Sequence, residues 1–176
     1  MIGVLVSGEG TNLQALLDAG LPIVAVASNK PGVRALERAE TAEIPTRVFD
    51  AGDYESREER DVALAEWLRS QGVELVVCAG YMQLLSPAFL ARFPQIVNVH
   101  PSLLPQFPGT QAIEQALEAG VAETGVTVHY VDEGVDTGPV IRQEPVPVEP
   151  QDTLVERLHA VEHRILPEVV RELCAR

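Results

Sequence analysis

Lysine is nearly absent from this chain. Lys30 is the only one, and with twelve arginines it faces 26 acidic residues, for a formal charge of −13. Such a surface argues against nucleic acid as a partner, because that binding rests on Lys and Arg neutralising phosphates. An anionic substrate must then be held by a local device, a helix N-terminus or a single Arg, and most of the acidity reads as plain solubility. There are only two cysteines, far apart, and Cys78 lies inside the apolar run Leu75-Val76-Val77-Cys78. A buried thiol is expected there rather than a disulfide or a metal ligand, in keeping with a cytoplasmic setting. No run of about eighteen apolar residues exists to span a membrane. The start, Met1-Ile2-Gly3-Val4-Leu5-Val6, lacks the basic residues and cleavage site of a signal peptide and reads as a first strand. No metal centre is expected, since no His-x-x-x-His, Cys-x-x-Cys or carboxylate cluster is read as having ligand spacing. A Gly-x-Ser-x-Gly nucleophile elbow is missing as well.

What is present is alternation. With 176 residues the chain is read as one domain with a substantial core. Apolar strands are expected at residues 2–7, 22–28, 46–49, 74–79, 96–100, 125–131 and 140–148. Helices are expected at 12–19, 33–42, 57–70, from 87, at 111–118 closed by Gly120, and at 152–174, with an interruption at Pro167. In the third helix Val62, Leu64, Ala65 and Leu68 point inward. Ser86-Pro87 is read as cap and first helical residue of the fourth. This rhythm predicts an α/β fold of three layers, an open, mostly parallel sheet with helices on both faces, and its closely spaced last two strands antiparallel.

Ser7-Gly8-Glu9-Gly10-Thr11-Asn12 joins the first strand to the first helix. Backbone N–H groups at a helix start, aided by the helix dipole, suit a phosphate. A dinucleotide fingerprint needs a third glycine at position 13, which is Leu13, so a single phosphate is the better reading than a nicotinamide or flavin cofactor. A tight turn with Thr11 or Asn12 as an ordinary cap is the plainer one.

The chemistry gathers around Ile96-Val97-Asn98-Val99-His100-Pro101 and Gly134-Val135-Asp136-Thr137-Gly138-Pro139. Asn98 and His100 are two apart on a strand and share a face. They emerge where open α/β sheets bind their ligands. Pro101, Pro105 and Pro108 stiffen the segment beyond the strand, and Asp136 sits in a Gly-flanked loop able to bring a carboxylate close. A carboxylate in hydrogen-bonding range favours imidazolium. That cation and an amide can stabilise an oxyanion or pass a proton. The pattern points to acyl or formyl transfer. His129 reads as either structural or a neighbour of the site, and His159 and His163 as residues of a solvated helix face.

With these segments in place, the sequence resembles the folate-dependent phosphoribosylglycinamide formyltransferases of purine synthesis. The likeness runs through Val6-Ser7-Gly8-Glu9-Gly10-Thr11-Asn12-Leu13-Gln14-Ala15, Ala79-Gly80-Tyr81-Met82-Gln83-Leu84-Leu85-Ser86-Pro87, Asn98-Val99-His100-Pro101-Ser102-Leu103-Leu104-Pro105 and residues 132–139, in family order over nearly the whole chain. The resemblance implies that residues 1–95 form a phosphate-binding half and 96–176 a catalytic and folate-binding half. Gly10, Thr11 and Asn12 are expected to bind the substrate's phosphate, and His159 and Glu162 its ribose and glycinamide end. Arg57, Met82, Gln83, Leu84, Leu85, Asn98, Asp132, Glu133, Gly134, Val135 and Asp136 are expected at the folate. Asn98, His100 and Asp136 are expected to be catalytic, with 10-formyltetrahydrofolate as co-substrate, small molecules as the partners, and a homodimer left open. Departures from the family pattern include Gln83, often a basic residue, and His159, often Gln.

A formyltetrahydrofolate hydrolase shares the trio but carries an additional N-terminal domain, and methionyl-tRNA formyltransferase a C-terminal one with a basic surface. A non-catalytic folate- or phosphate-binding module predicts loss of Asn98, His100 or Asp136. All three are present.

Overall fold

A computed structural model describes residues 1–176. Seven strands, β1 (Ile2–Val6), β2 (Ile23–Ser28), β3 (Thr46–Val48), β4 (Leu75–Cys78), β5 (Gln95–His100), β6 (Glu123–Tyr130) and β7 (Val140–Pro147), follow the sheet order β3-β2-β1-β4-β5-β6-β7. Six helices join them: α1 (Thr11–Asp18), α2 (Arg34–Thr41), α3 (Arg57–Ser70), α4 (Pro87–Leu90), α5 (Ala112–Ala119) and α6 (Leu154–Cys174). β1 runs parallel to β2 and β4, and β2 to β3, whereas β6 and β7 pair antiparallel from Glu123↔Pro147 to His129↔Val140. The sheet is therefore mixed and mostly parallel, with the last pair antiparallel as expected from the short connection between them.

The chain forms two compact units, Met1–Val97 and Asn98–Arg176. In the first, every residue of β1 and of β4 is buried, as parallel strands covered on both faces must be. Chain order reverses between these two strands, and a crevice at such a switch point is where open sheets take their ligands. Both strands release irregular segments there, residues 7–10 and 79–86. α3 begins at Ser56, whose hydroxyl accepts from Glu59 N–H, while the Glu59 carboxylate accepts from Glu55 N–H. Leu64, Ala65 and Leu68 are buried as expected, but Val62 is only half-buried and the helix also buries Arg60 and Asp61. Ser86 occupies the cap position of α4 with Pro87 after it, yet its hydroxyl makes no cap bond. Its N–H is taken by the Asp61 carboxylate instead.

In the second unit, α5 ends on Gly120 at φ 67°, the left-handed closure the sequence suggests. α6 corrects the expectation at Pro167, since the helix runs unbroken through it. A proline inside a helix costs about 3 kcal/mol. The stripe Leu158, Ile165, Leu166, Val169, Val170 and Leu173 is buried on both sides of the ring, and its packing outweighs that cost.

Candidate active site

β5 delivers Asn98 half-buried and His100 buried at its end. β6 carries His129, and the loop after it returns Asp136. The Asp136 carboxylate is the hub. Its Oδ2 lies 3.4 Å from His100 Nδ1 and accepts from Gly109 N–H at 2.8 Å. Its Oδ1 lies 3.6 Å from His129 Nε2 and accepts from Asn98 Nδ2 at 3.4 Å. Asn98, His100 and Asp136 thus come together as expected, and His129 joins them as a neighbour of the site rather than a distant structural residue.

Ring chemistry narrows the proton positions. His100 faces oxygen on both nitrogens, Nε2 standing 2.8 Å from the Phe107 carbonyl and Nδ1 facing Asp136. A neutral ring can donate to one of them, an imidazolium to both. For His129, Nδ1 is 2.8 Å from the Tyr130 carbonyl, which can only accept, so in the neutral ring Nε2 is left to accept from Asn98 Nδ2 at 3.2 Å. The Asp136 carboxyl sits below the ordinary carboxylate range. Burial is the largest influence and pushes upward, but hydrogen bonds from His129 and Gly109 and the charges of His100 and His129 outweigh it.

The loop holding Asp136 organises itself. Asp132 Oδ1 accepts from Gly134 N–H at 3.0 Å and from the Thr137 hydroxyl at 2.5 Å, and this Thr137 bond foremost lowers the Asp132 pKa. A side chain at Gly138 would run into the Tyr130 carbonyl. Asp136 itself stands at φ 54° and Phe107 at φ 52°, left-handed conformations that non-glycine residues hold only when their surroundings fix them. Ser102, fully buried, does part of that fixing by donating to the Gln106 carbonyl at 2.5 Å.

Within the first unit, Gly10 caps α1 at φ 74°, so the cap is neither Thr11 nor Asn12, which begin the helix. A Cβ at Gly10 would lie 2.6 Å from Ala35 Cβ, and α2 grips the loop further through Ala35 N–H to the Gly8 carbonyl and Arg38 Nε to the Glu9 carbonyl. Ser7 links this loop to the segment leaving β4, its hydroxyl accepting from Met82 N–H at 2.8 Å. Gln83 is exposed, and Leu85 is buried and can offer only its backbone. Arg57 lies exposed at the first turn of α3, 4.0 Å from Glu58. Cys78 is buried, and that burial pushes its thiol up to about 12, leaving it inert at neutral pH.

On α6, Glu162 is buried and His159 exposed. His159 and His163 stand four apart with rings stacked 5.9 Å between centroids. That is the His-x-x-x-His spacing of two metal ligands, and it corrects the expectation that the chain holds no such pair. No group of three or more His, Cys, Asp or Glu is placed to hold a metal ion. Burial foremost, with the neighbouring His159, holds the His163 pKa below its usual value. No helix is long and apolar enough to cross a membrane.

His129, Phe107 and Gly109 are the members of the site on which residue patterning is undecided or silent. For His129 the strand's two-residue period gives a face but does not say that a carboxylate meets it. The other two act through backbone groups, which composition does not mark.

Comparison with known proteins identifies the family of the chain. The formyl transferase family matches residues 1–170. The phosphoribosylglycinamide formyltransferase of Bacillus subtilis is 41% identical over 182 residues, 97% of this chain and 92% of that protein. A crystal structure of phosphoribosylglycinamide formyltransferase from Bacillus halodurans aligns at TM-score 0.95 with 42% identity, covering 99% of this chain and 95% of that one. The trifunctional purine biosynthetic protein adenosine-3 of Drosophila pseudoobscura pseudoobscura is 48% identical over 99% of this chain, which spans only 14% of that longer protein. The chain belongs to the formyl transferase family and, within it, to the phosphoribosylglycinamide formyltransferases.

Proposed function

We propose that the protein moves a formyl group from 10-formyltetrahydrofolate to the amine of 5-phosphoribosylglycinamide, a step of purine (IMP) synthesis. The observation that carries the chemistry is the single carboxylate of Asp136 shared by His100, His129 and Asn98. The folate supplies the formyl group. His100 and Asn98 donate to the formyl oxygen as negative charge grows there, and Asp136 holds the His100 ring oriented and its charge compensated. The amine bonds to the formyl carbon and loses a proton, the bond from that carbon to the folate nitrogen breaks, and Asp136 with His100 carries the proton to the departing nitrogen. The bond from His100 Nε2 to the Phe107 carbonyl opens when substrate arrives, because Asp136 keeps the opposite nitrogen, and Asn98 releases its long contact with Asp136 Oδ1 to free an N–H for the formyl oxygen.

Exposed apolar side chains support the folate assignment. Of the six large ones, Met82 (57%), Leu84 (42%) and Val135 (52%) fall at positions that the resemblance gives to the folate. Such side chains favour contact with a flat ring over water. Arg57, Gln83, Leu85 and residues 132–136 complete that assignment. The phosphate goes to Gly10, Thr11 and Asn12 at the start of α1, where backbone N–H groups and the helix dipole favour an anion. Glu162 and His159 take the ribose and glycinamide end. Both cysteines are free, which suits the cytoplasm. This reading keeps the chain as one catalytic domain acting on small molecules.

The test is formyl transfer by the purified protein, with and without the ribonucleotide acceptor. Folate product that appears only with the acceptor supports the transferase. Product forming equally without it makes the protein a hydrolase, and binding without turnover makes it a binding module.

A further inference from the structure

Arg60 and Asp61 lie in the first turns of α3 with only 2% and 0% of their surface exposed. Arg60 Nε and Nη2 donate to Asp61 Oδ1 at 3.2 and 3.0 Å, and Nη1 donates to Gln83 Oε1 at 3.0 Å. The other Asp61 oxygen accepts from Ser86 N–H at 2.7 Å. Residues 82–86 have no regular secondary structure of their own. They are instead fastened from outside, at Gln83 by Arg60, at Ser86 by Asp61, and at Met82 by the Ser7 hydroxyl, which in turn donates to Asn29 Oδ1 at 2.5 Å.

Stability does not account for this pair. A buried ion pair loses hydration that its attraction barely returns, and apolar residues of similar volume serve a core as well or better. Nor does α3 require it, since Ser56 and Glu59 already cap the helix. What the pair does supply is shape. The planar fork of Arg60 reaches Asp61 and Gln83 together, so the segment displaying Met82 and Leu84 is held in one conformation.

We propose that Arg60 is a positioning residue for the formyl-folate site, acting with Asp61 and through Gln83 to fix residues 82–86 before the ligand arrives. The proposal rests on the assignment of this segment to the folate under the proposed function. Pre-ordering a segment lowers the ordering entropy that binding must otherwise meet. The effect belongs to folate affinity and not to the phosphate loop or the catalytic cluster.

Three variants test it: Arg60→Lys, Gln83→Ala, and Arg60→Met combined with Asp61→Asn. The combined variant removes both charges at once, and the amide oxygen introduced at position 61 still accepts from Ser86. Its KM for 10-formyltetrahydrofolate is expected to rise roughly tenfold, the size of one lost hydrogen bond. KM for the ribonucleotide and kcat should stay within about twofold of wild type, since neither depends on that bond. Arg60→Lys, which keeps the charge but not the fork, gives an intermediate rise, and that rise disappears in the Gln83→Ala background. Unchanged folate KM in a folded variant, parallel increases in both KM values, or additive effects of Arg60→Lys and Gln83→Ala would overturn the proposal. Should the combined variant fail to fold, the Arg60→Lys and Gln83→Ala cycle decides between the same outcomes. A wild-type protein without formyl transfer sinks the parent reading and this proposal together; an active wild type with indifferent variants sinks this proposal alone.

Discussion

Asp136 Oδ2 lies 3.4 Å from His100 Nδ1, and the same oxygen is anchored by Gly109 N–H at 2.8 Å. The carboxylate is therefore placed by the backbone, independently of the ring that it orients. Replacing it by an amide of the same size keeps the shape and loses the charge. Asp136→Asn is expected to reduce kcat by roughly a hundred- to ten-thousandfold, the range of positioned acid–base and charge-compensating groups. Tm should fall by only a few degrees. Steady-state kinetics and a thermal melt on the same preparation check both halves.

The depressed pKa of Asp136 also sets how stability responds to acid. Folded, the carboxyl lies below its unfolded value of about 4, so its contribution is present in full above that value. It is lost as pH falls through the unfolded pKa toward the folded one, because the native state must then take up a proton it resists. Urea midpoints measured from about pH 6 down to pH 2 should show this loss in the wild type. Asp136→Asn should show a shallower fall over the same window. Parallel curves would mean that the carboxylate is no better solvated in the fold than in the unfolded chain.

Gly10 combines a left-handed φ of 74° with a Cβ position 2.6 Å from Ala35 Cβ. Gly10→Ala therefore suffers twice, in backbone strain and in a clash between the loop and α2, for about 1–3 kcal/mol. Because the loop must shift, KM for the phosphorylated substrate is expected to rise while folate KM holds. Chemical denaturation and the two KM values read these effects separately.

Asp132 ties its loop together through Gly134 and Thr137 while remaining exposed. Asp132→Ala removes both bonds at little cost to the fold. The loop then samples conformations in which Asp136 is misplaced. The expected result is a fall in kcat/KM for the folate of about three- to thirtyfold, as one or two hydrogen bonds govern, with Tm nearly unchanged. A melt shifted as far as the activity would point to a structural role instead.

The alternation of strands and helices is legible because each element carries its own period or apolar run. β1 and β4 are short continuous apolar stretches, and α5 stops on a glycine where its spacing ends. Asn98 and His100 are legible for a related reason, since the strand's two-residue period forces them to one face. Pro167 misleads because its local penalty is visible in sequence and the compensating buried stripe of α6 is not. Arg60 and Asp61 look like the solvated start of a helix, and only the segment 83–86 folding back over them explains their burial. His129 is undecided in sequence for the same cause. A histidine on a strand becomes a site residue only through Asp136, which arrives from a loop whose path depends on Asp132, Gly138 and a left-handed backbone.

The most direct test of the mechanism is His100→Ala, compared with wild type for single-turnover formyl transfer and for binding of the folate and the ribonucleotide by titration. The expected result is a loss of at least roughly a hundredfold in the chemical step, with both ligands bound within a few-fold of wild type. Transfer at near wild-type rate by a variant that still binds both would contradict the mechanism and remove His100 from it.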